Sequence, residues 1–388
     1  KNKDSQICLS YISHCDIMNI MKKEIVIIGG GIVGSTAAFY LSQSEKYHVT
    51  LVDSGIGNAT RAAAGIICPW LAQKKNKDWY RLTSKGAVFY RQLMADLIAS
   101  GVDTLPFKQT GTLGLKSKPE LLEKIQKIAE DRKIETATIG EIKILKGQEI
   151  TDYIPHLLPD FYGIFLEGGG RIDGGKLVDT LQEKFLEQGG QRIFGKAELL
   201  DQNTVQVNHE KIHADILLLT TGAWLPEALQ PLGYHVDVRP QKGQLLELET
   251  DLDTTNWPVC MPYGEIDILP FEDGKIIIGA THEDDMGYDL SLDMQKIQHM
   301  KDKAAEFMPV LANYPINKTR IGTRAYTSNY APFYGNLDDN PHIWVASGLG
   351  SSGLTNGPYI AWQIANELLG QDSNFDRSPY SPSNYISK

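Results

Sequence analysis

The chain has 388 residues, of which 42% are hydrophobic and 22% charged, and carries a formal net charge of −10. These proportions describe a globular chain with a sizeable core and a length suited to two or three domains. They argue against nucleic acid as the main partner.

No apolar stretch approaches the roughly 18–20 residues of a membrane span, which leaves peripheral membrane contact open. The four cysteines, Cys8, Cys15, Cys68 and Cys260, show neither metal-ligand spacing nor a disulfide-dense pattern, so no metal site is expected and a cytoplasmic location fits. Residues 1–20 read as an extension upstream of a start at Met21-Lys22-Lys23 and stand outside the fold argument.

The first predicted strand, Glu24–Ile28, enters the turn Gly29-x-Gly31-x-x-Gly34, which opens a helix predicted over Ser35–Ser42. In such a unit Gly29 permits the tight turn, Gly31 lets backbone approach a pyrophosphate, and Gly34 lets helix and strand pack closely. The helix N-terminus offers unpaired N–H groups and a positive dipole end to phosphates. A second strand, His48–Val52, ends in Asp53, nineteen residues after Gly34. A carboxylate there accepts hydrogen bonds from an adenosine ribose hydroxyl. Strand, turn, helix, strand and acid in register point to a bound dinucleotide.

Further along, Thr60-Arg61-Ala62-Ala63-Ala64-Gly65-Ile66-Ile67 is a run of small residues that would let backbone pass under a bulky planar ring. Helical periodicity marks Trp79–Ser100, Pro119–Arg132, Lys176–Gln188, Met294–Phe307 and Tyr359–Leu369. The continuous apolar run Ala214–Thr220 reads as a parallel strand buried on both faces. Gly111–Lys116 and Gly243–Glu249 alternate more, as in a sheet with one covered face; Lys275–Gly279 and His342–Ala346 complete the strands. The strand Ala214–Thr220 ends in the small-residue turn Thr221-Gly222. The loop Gly348-Leu349-Gly350-Ser351-Ser352-Gly353-Leu354-Thr355 leads to Pro358, which suits a first helical position. The chain is expected to leave the nucleotide domain, build a second domain and return, placing a crevice between the two.

Taken in order, these segments resemble the D-amino-acid oxidase-like flavoprotein family, which includes glycine oxidase, sarcosine oxidase and D-amino-acid dehydrogenase. Gly169–Gly174, Arg239–Gln244, Pro270–Thr281 and Ile321–Arg324 extend the match across Met21 to Gly370. The resemblance implies an α/β and α+β fold, with a Rossmann-like FAD-binding domain interleaved with a substrate domain on a mixed, largely antiparallel sheet. The expected division is 21–80, 152–233 and 321–372 for FAD, 81–151 and 234–320 for substrate, and a tail at 373–388.

It also implies FAD as cofactor. Gly29, Gly31, Ile32, Val33 and Gly34 would meet the pyrophosphate, with Asp53 and Ser54 on the adenosine side. Thr60, Arg61, Ala64, Gly65 and Ile66 would lie along the diphosphate and ring, and a strand near Ala197 beside adenine. Thr221, Gly222, Gly350, Ser351, Ser352, Gly353, Leu354 and Thr355 would close around the flavin.

The implied activity is oxidation of the C–N bond of a small amino acid to an imine, by hydride transfer to flavin N5. Oxygen or a quinone-type compound would take the electrons. Arg324 matches the family's carboxylate-binding arginine, and Ser351 is carried with it as a catalytic position. Competing readings are an NAD(P)-dependent dehydrogenase, a flavin enzyme oxidising a 2-hydroxy acid or polyol phosphate, and a flavin-binding sensor.

Several relatives place a tyrosine where this chain has Asp267, which is expected on an exposed loop rather than at a substrate ammonium; Tyr263, Tyr326 and Tyr330 are nearby candidates. Trp70, Trp79 and Tyr80 serve equally as a pocket cap or as core, and Lys242 as a pocket cation or a strand opener. Cys68 is expected as a small buried thiol rather than a covalent flavin link, and His282 and Glu283 receive no role.

Overall fold

The computed structural model describes residues 22–388 apart from Asn58, Lys75 and Ser373. The expected extension at 1–20, the start at Met21, and Cys8 and Cys15 lie outside the described residues.

Apolar central strands and more polar edge strands assemble a six-stranded sheet. Its order is Phe333–Leu337, Asn340–Ser347, Ile216–Leu219, Lys23–Ile28, Tyr47–Asp53 and Gln191–Phe194. All neighbours run parallel except the first pair, which is antiparallel. Ile25, Ile27 and Leu218 pack into the helical core on one face, and Val26, Leu217 and Val345 into a second core on the other. Burial on both faces is what the missing alternation predicts. From Lys23–Ile28 the chain moves outward on one side to Tyr47–Asp53 and later returns on the other as Ile216–Leu219. That reversal opens a crevice at the carboxyl ends of these strands, where open α/β sheets bind ligands.

The second sheet has eight strands, in the order Ile316–Tyr326, Arg239–Glu249, Lys275–Gly279, Asp267–Pro270, Val259–Met261, Thr112–Lys116, Tyr162–Leu166 and Ile142–Lys146. Only Val259–Met261 and Thr112–Lys116 pair in parallel, so the sheet is mixed and largely antiparallel. The expectation of one covered face is corrected here. Leu246, Leu248, Ile268 and Ile276 face a core shared with the helix Met294–Ala305, while Leu245, Leu269 and Ile277 pack near Ala64 and Ile66. Alternation along these strands separates two apolar environments rather than core from water.

Short strands do not announce their sheet. Tyr162–Leu166, inside the segment 152–233 expected with FAD, hydrogen-bonds in the eight-stranded sheet. Ile316–Tyr326 crosses the expected boundary at 321, and Ile386–Ser387 of the expected tail pairs with His235–Val236.

The helices largely follow their periodicity, at Lys77–Ala99, Pro119–Glu135, Gly174–Glu187 and Met294–Ala305. Side chains of Asn76, Asp173 and Asp293 accept first-turn N–H groups as caps. Two starts differ from expectation. The helix after the glycine turn begins at Ile32, not Ser35, and the last long helix begins at Gly353, so Pro358 is its sixth residue rather than its first. A proline there leaves the carbonyl of Leu354 without its helical donor, and the hydroxyl of buried Tyr90 donates to that oxygen at 2.6 Å. Tyr90→Phe therefore strands a buried acceptor. We expect a loss of about 1–3 kcal/mol, read as a lower denaturation midpoint at unchanged slope.

Candidate active site

A cavity of about 1010 Å³ runs from the carboxyl ends of the parallel strands into the space against the eight-stranded sheet. This is at the top of the roughly 300–1,000 Å³ range of ligand sites. At one end the glycine turn behaves as its spacing predicts. Gly29 has φ +108°, and a Cβ on Gly34 would overlap the carbonyl oxygen of Gly29 and come within 2.6 Å of Thr220 Oγ1. A Cβ on Gly31 would meet only Thr60 Oγ1, at 3.4 Å, so the space above it is open to the cavity. The N–H of Ile32 is already held by Thr60 Oγ1 at 3.0 Å. Asp53 lines the cavity while its carboxylate accepts from the N–H groups of Gly30 and Gly55. Ser54, Val33 and Ala197 line this end as well.

Along the middle run Thr60, Ala64, Gly65 and Ile66 on one side, with Thr221 and Gly222 near the turn that ends the strand Ile216–Leu219. Gly65 has φ +101° and sits so close to Ile172 that a Cβ would overlap that residue's carbonyl oxygen. The glycine loop Gly350–Ser352 and the first turn of the helix Gly353–Leu369 close the cavity with Leu354 and Thr355. Tyr326 supports this loop from below: its hydroxyl accepts the N–H of Ser351 at 3.0 Å, and Gly350 leaves room for its ring.

Against the eight-stranded sheet lie Arg324, Asp267 and His282. Arg324 Nη1 donates to Gln241 Oε1 at 3.1 Å and to the carbonyl of Thr281 at 2.9 Å. Its guanidinium covers Gly243, where a Cβ would come within 2.6 Å of Nη1. Both acceptors are neutral, and among the described residues no carboxylate forms an ion pair with it. Burial pulls its pKa down, against the weaker opposing fields of Tyr326 and Glu283. A partly buried guanidinium with unspent donors has the planar fork that matches a carboxylate.

Asp267 corrects the loop expectation. It opens the strand Asp267–Pro270 and lines the cavity, and burial pushes its carboxyl up to about 7, with Lys116 pulling the other way. Because the folded chain then binds a proton that the unfolded chain has lost, stability falls as pH rises from about 4 to 7. Moving the carboxyl from 3.8 to about 7 costs the ionised fold on the order of 4 kcal/mol. Asp267→Asn should therefore raise the melting temperature above pH 7 and leave it unchanged near pH 3. An equal shift at both pH values would refute that linkage.

Other candidates fall away from the cavity. Arg61, expected along the diphosphate, turns outward to an ion pair with exposed Asp179 at 2.5 Å, because that carboxylate lies one helix away. Tyr263 packs on Phe161 and Phe307, exposed Tyr330 bonds Arg239, and neither they nor Tyr326 are among the residues that line the cavity. Trp70 belongs to the core, whereas Trp79 lines the cavity and donates from Nε1 to Ser352 at 3.1 Å.

Lys242 is buried and pairs with Asp289 at 2.7 Å, which rules it out as a pocket cation. Glu283 is spent on Thr281, Gln244 and Lys296. His282 does line the cavity, its pKa lowered by burial and then by Arg324. Cys68 lines it too, but burial pushes its thiol up to about 11, leaving little thiolate for a covalent link.

The cradle suits a dinucleotide with a planar ring: glycine openings at one end, small residues along the middle, and buried Thr221 and Thr323 hydroxyls on the lining that have no partner among the described residues. The family profile described as "FAD dependent oxidoreductase" (DAO) matches residues 24–367. The chain belongs to that family.

Within the DAO family the chain is 36% identical over 367 residues to YurR, an uncharacterized oxidoreductase of Bacillus subtilis, covering 93% of this chain and 98% of YurR. It is 27% identical to a glycine oxidase of Pseudomonas putida, covering 93% and 99%. The solved structure of an iminodiacetate oxidase from Chelativorans sp. BNC1 superposes with a TM-score of 0.89 at 30% identity, covering 92% and 98%. The protein is an FAD-dependent oxidoreductase with a DAO-like fold. FAD supplies the two-electron acceptor. No helix among the described residues is long and apolar enough to cross a membrane.

Proposed function

We propose that this enzyme oxidises the C–N bond of a small amino acid, with the substrate carboxylate held by Arg324. The observation that carries the reading is the Arg324 guanidinium: partly buried, lining the cavity, and lacking a carboxylate partner among the described residues. A bidentate grip fixes the orientation of a small acid as well as its charge, and orientation is what brings reacting atoms to roughly 3–3.5 Å. Ser351, at the mouth of the last helix, is read as a second polar contact, and Asp53, Thr60 and the glycine loops as the cofactor's cradle. The likeness to an iminodiacetate oxidase supports an N-substituted amino acid, and the likeness to glycine oxidases supports a short one.

The imine product would leave and hydrolyse to an oxo acid and an amine or ammonia. The test is anaerobic bleaching of the bound flavin by a panel of glycine, D-, L-, N-methyl and N-carboxymethyl amino acids. Admitting oxygen or a quinone afterwards identifies the acceptor by the rate at which colour returns. Bleaching by 2-hydroxy acids alone would sink the proposal.

A further inference from the structure

The register of the eight-stranded sheet brings a second charged group to the face that carries Arg324. Asp267 pairs with Gly279, Gly279 with Leu245, and two residues along the same strand Gly243 lies under the Arg324 guanidinium. Side chains two apart on a strand share a face, and residues directly opposite across a sheet do so too. Asp267, Leu245 and Arg324 therefore project from the same face, and all three line the cavity. With strands about 4.8 Å apart and about 3.3 Å per residue, the backbone at Asp267 and at Gly243 is roughly 12 Å apart. The carboxyl reaches inward from one side and the guanidinium covers Gly243 on the other. One small amino acid, held at each end by a charge-assisted hydrogen bond of about 2.8 Å, spans that gap.

The carboxyl of Asp267 has no hydrogen bond or ion pair among the described residues. Lys116 on the strand Thr112–Lys116 acts on it only through its field, and Cys260 on the neighbouring strand feels its charge. Also lining the cavity are His282, whose charge Arg324 and Lys74 oppose and Glu265 and Asp284 favour, and Arg324 itself. The site thus holds an unpaired cation and an unpaired acid at zwitterion spacing.

We infer that Asp267 accepts the ammonium proton of the bound substrate before the Cα–H bond breaks; this rests on the amino-acid reading above. One N–H bond breaks and one O–H bond forms on the Asp267 carboxylate, with no change in oxidation state. The freed lone pair would then form the C=N bond as the Cα–H electron pair leaves as hydride, which bound FAD would take up as the two-electron acceptor; the product leaves as the iminium, and the proton on Asp267 passes to solvent. Burial places the carboxyl near neutrality, where a general base works best, and such bases contribute typically about 10²–10⁴-fold.

The test compares FAD-loaded wild type, Asp267→Asn and Asp267→Glu across pH 6 to 10, using anaerobic flavin reduction by whichever amino acid bleaches the wild type. The same proteins are titrated with propanoate, a carboxylate without an amine, by its perturbation of the flavin spectrum. The inference expects Asp267→Asn to lose about 100-fold or more at pH 7, to recover towards wild type at pH 10 where the free amine is abundant, and to bind propanoate within about twofold of wild type. Asp267→Glu should retain part of the rate at pH 7. Wild-type rates in Asp267→Asn at pH 7, or a loss equal at every pH, would overturn it while leaving the amino-acid reading intact. A wild-type flavin bleached by no amino acid would overturn both.

Discussion

Arg324→Ala is expected to stay yellow and to lose about 10²–10³-fold in kcat/KM for any substrate the wild type oxidises. Among the described residues the guanidinium packs over Gly243 and hydrogen-bonds through Nη1 to two neutral oxygens, so removing it opens space without orphaning a buried carboxylate. Its loss falls on the ligand. Truncating one partner of a buried, hydrogen-bonded charge pair costs roughly 2–5 kcal/mol, and much of that appears in turnover because the grip sets orientation as well as affinity. Arg324→Lys should fail nearly as badly, since an ammonium keeps the charge and gives up the planar fork. The flavin spectrum and steady-state kinetics separate the outcomes: a colourless variant points to a fold defect, and unchanged kinetics remove Arg324 from the substrate.

The second large effect is expected at the other end of the cavity. Gly34→Ala should be purified with little or no FAD and with stability lowered by about 3 kcal/mol. The new methyl would overlap the carbonyl oxygen of Gly29 and crowd Thr220 Oγ1 at 2.6 Å. Neither neighbour can swing aside. Thr220 Oγ1 donates to Gly29 O at 2.7 Å, and Gly29 N–H donates to Val52 O at 2.8 Å. The helix Ile32–Leu41 must lift from the strand instead, and it is buried along nearly its whole length, so the shift propagates into the core. Overpacking of that kind costs typically about 1–3 kcal/mol, more when backbone is the obstacle. The ratio of flavin to protein absorbance and the melting temperature measure it; normal values for both would refute the packing role.

Much of the nucleotide end was legible because its parts are close along the chain. Gly29, Gly31 and Gly34 act within one turn, and Asp53 closes the next strand, so spacing alone carries their geometry. The continuous run at Ile216–Leu219 declared its two buried faces by lacking alternation. Boundaries were weaker where a side chain elsewhere in the fold altered a local rule. Pro358 is tolerated inside a helix because Tyr90, 268 positions earlier in the chain, supplies the donor that proline cannot. Arg61 left the cavity because Asp179 lies within reach on another helix. Neither pairing leaves a mark in the local sequence.

The sequence by itself pointed to a dinucleotide unit around Gly29–Asp53, because that signal rests on short spacings, while Arg324 entered only through the family resemblance. Only the tertiary structure decided that Asp267, read as a loop residue, lies on the sheet face that carries Arg324. That placement depends on the register of successive strand pairs drawn from distant segments, and a one-residue slip in any of them would have turned the carboxyl to the opposite face.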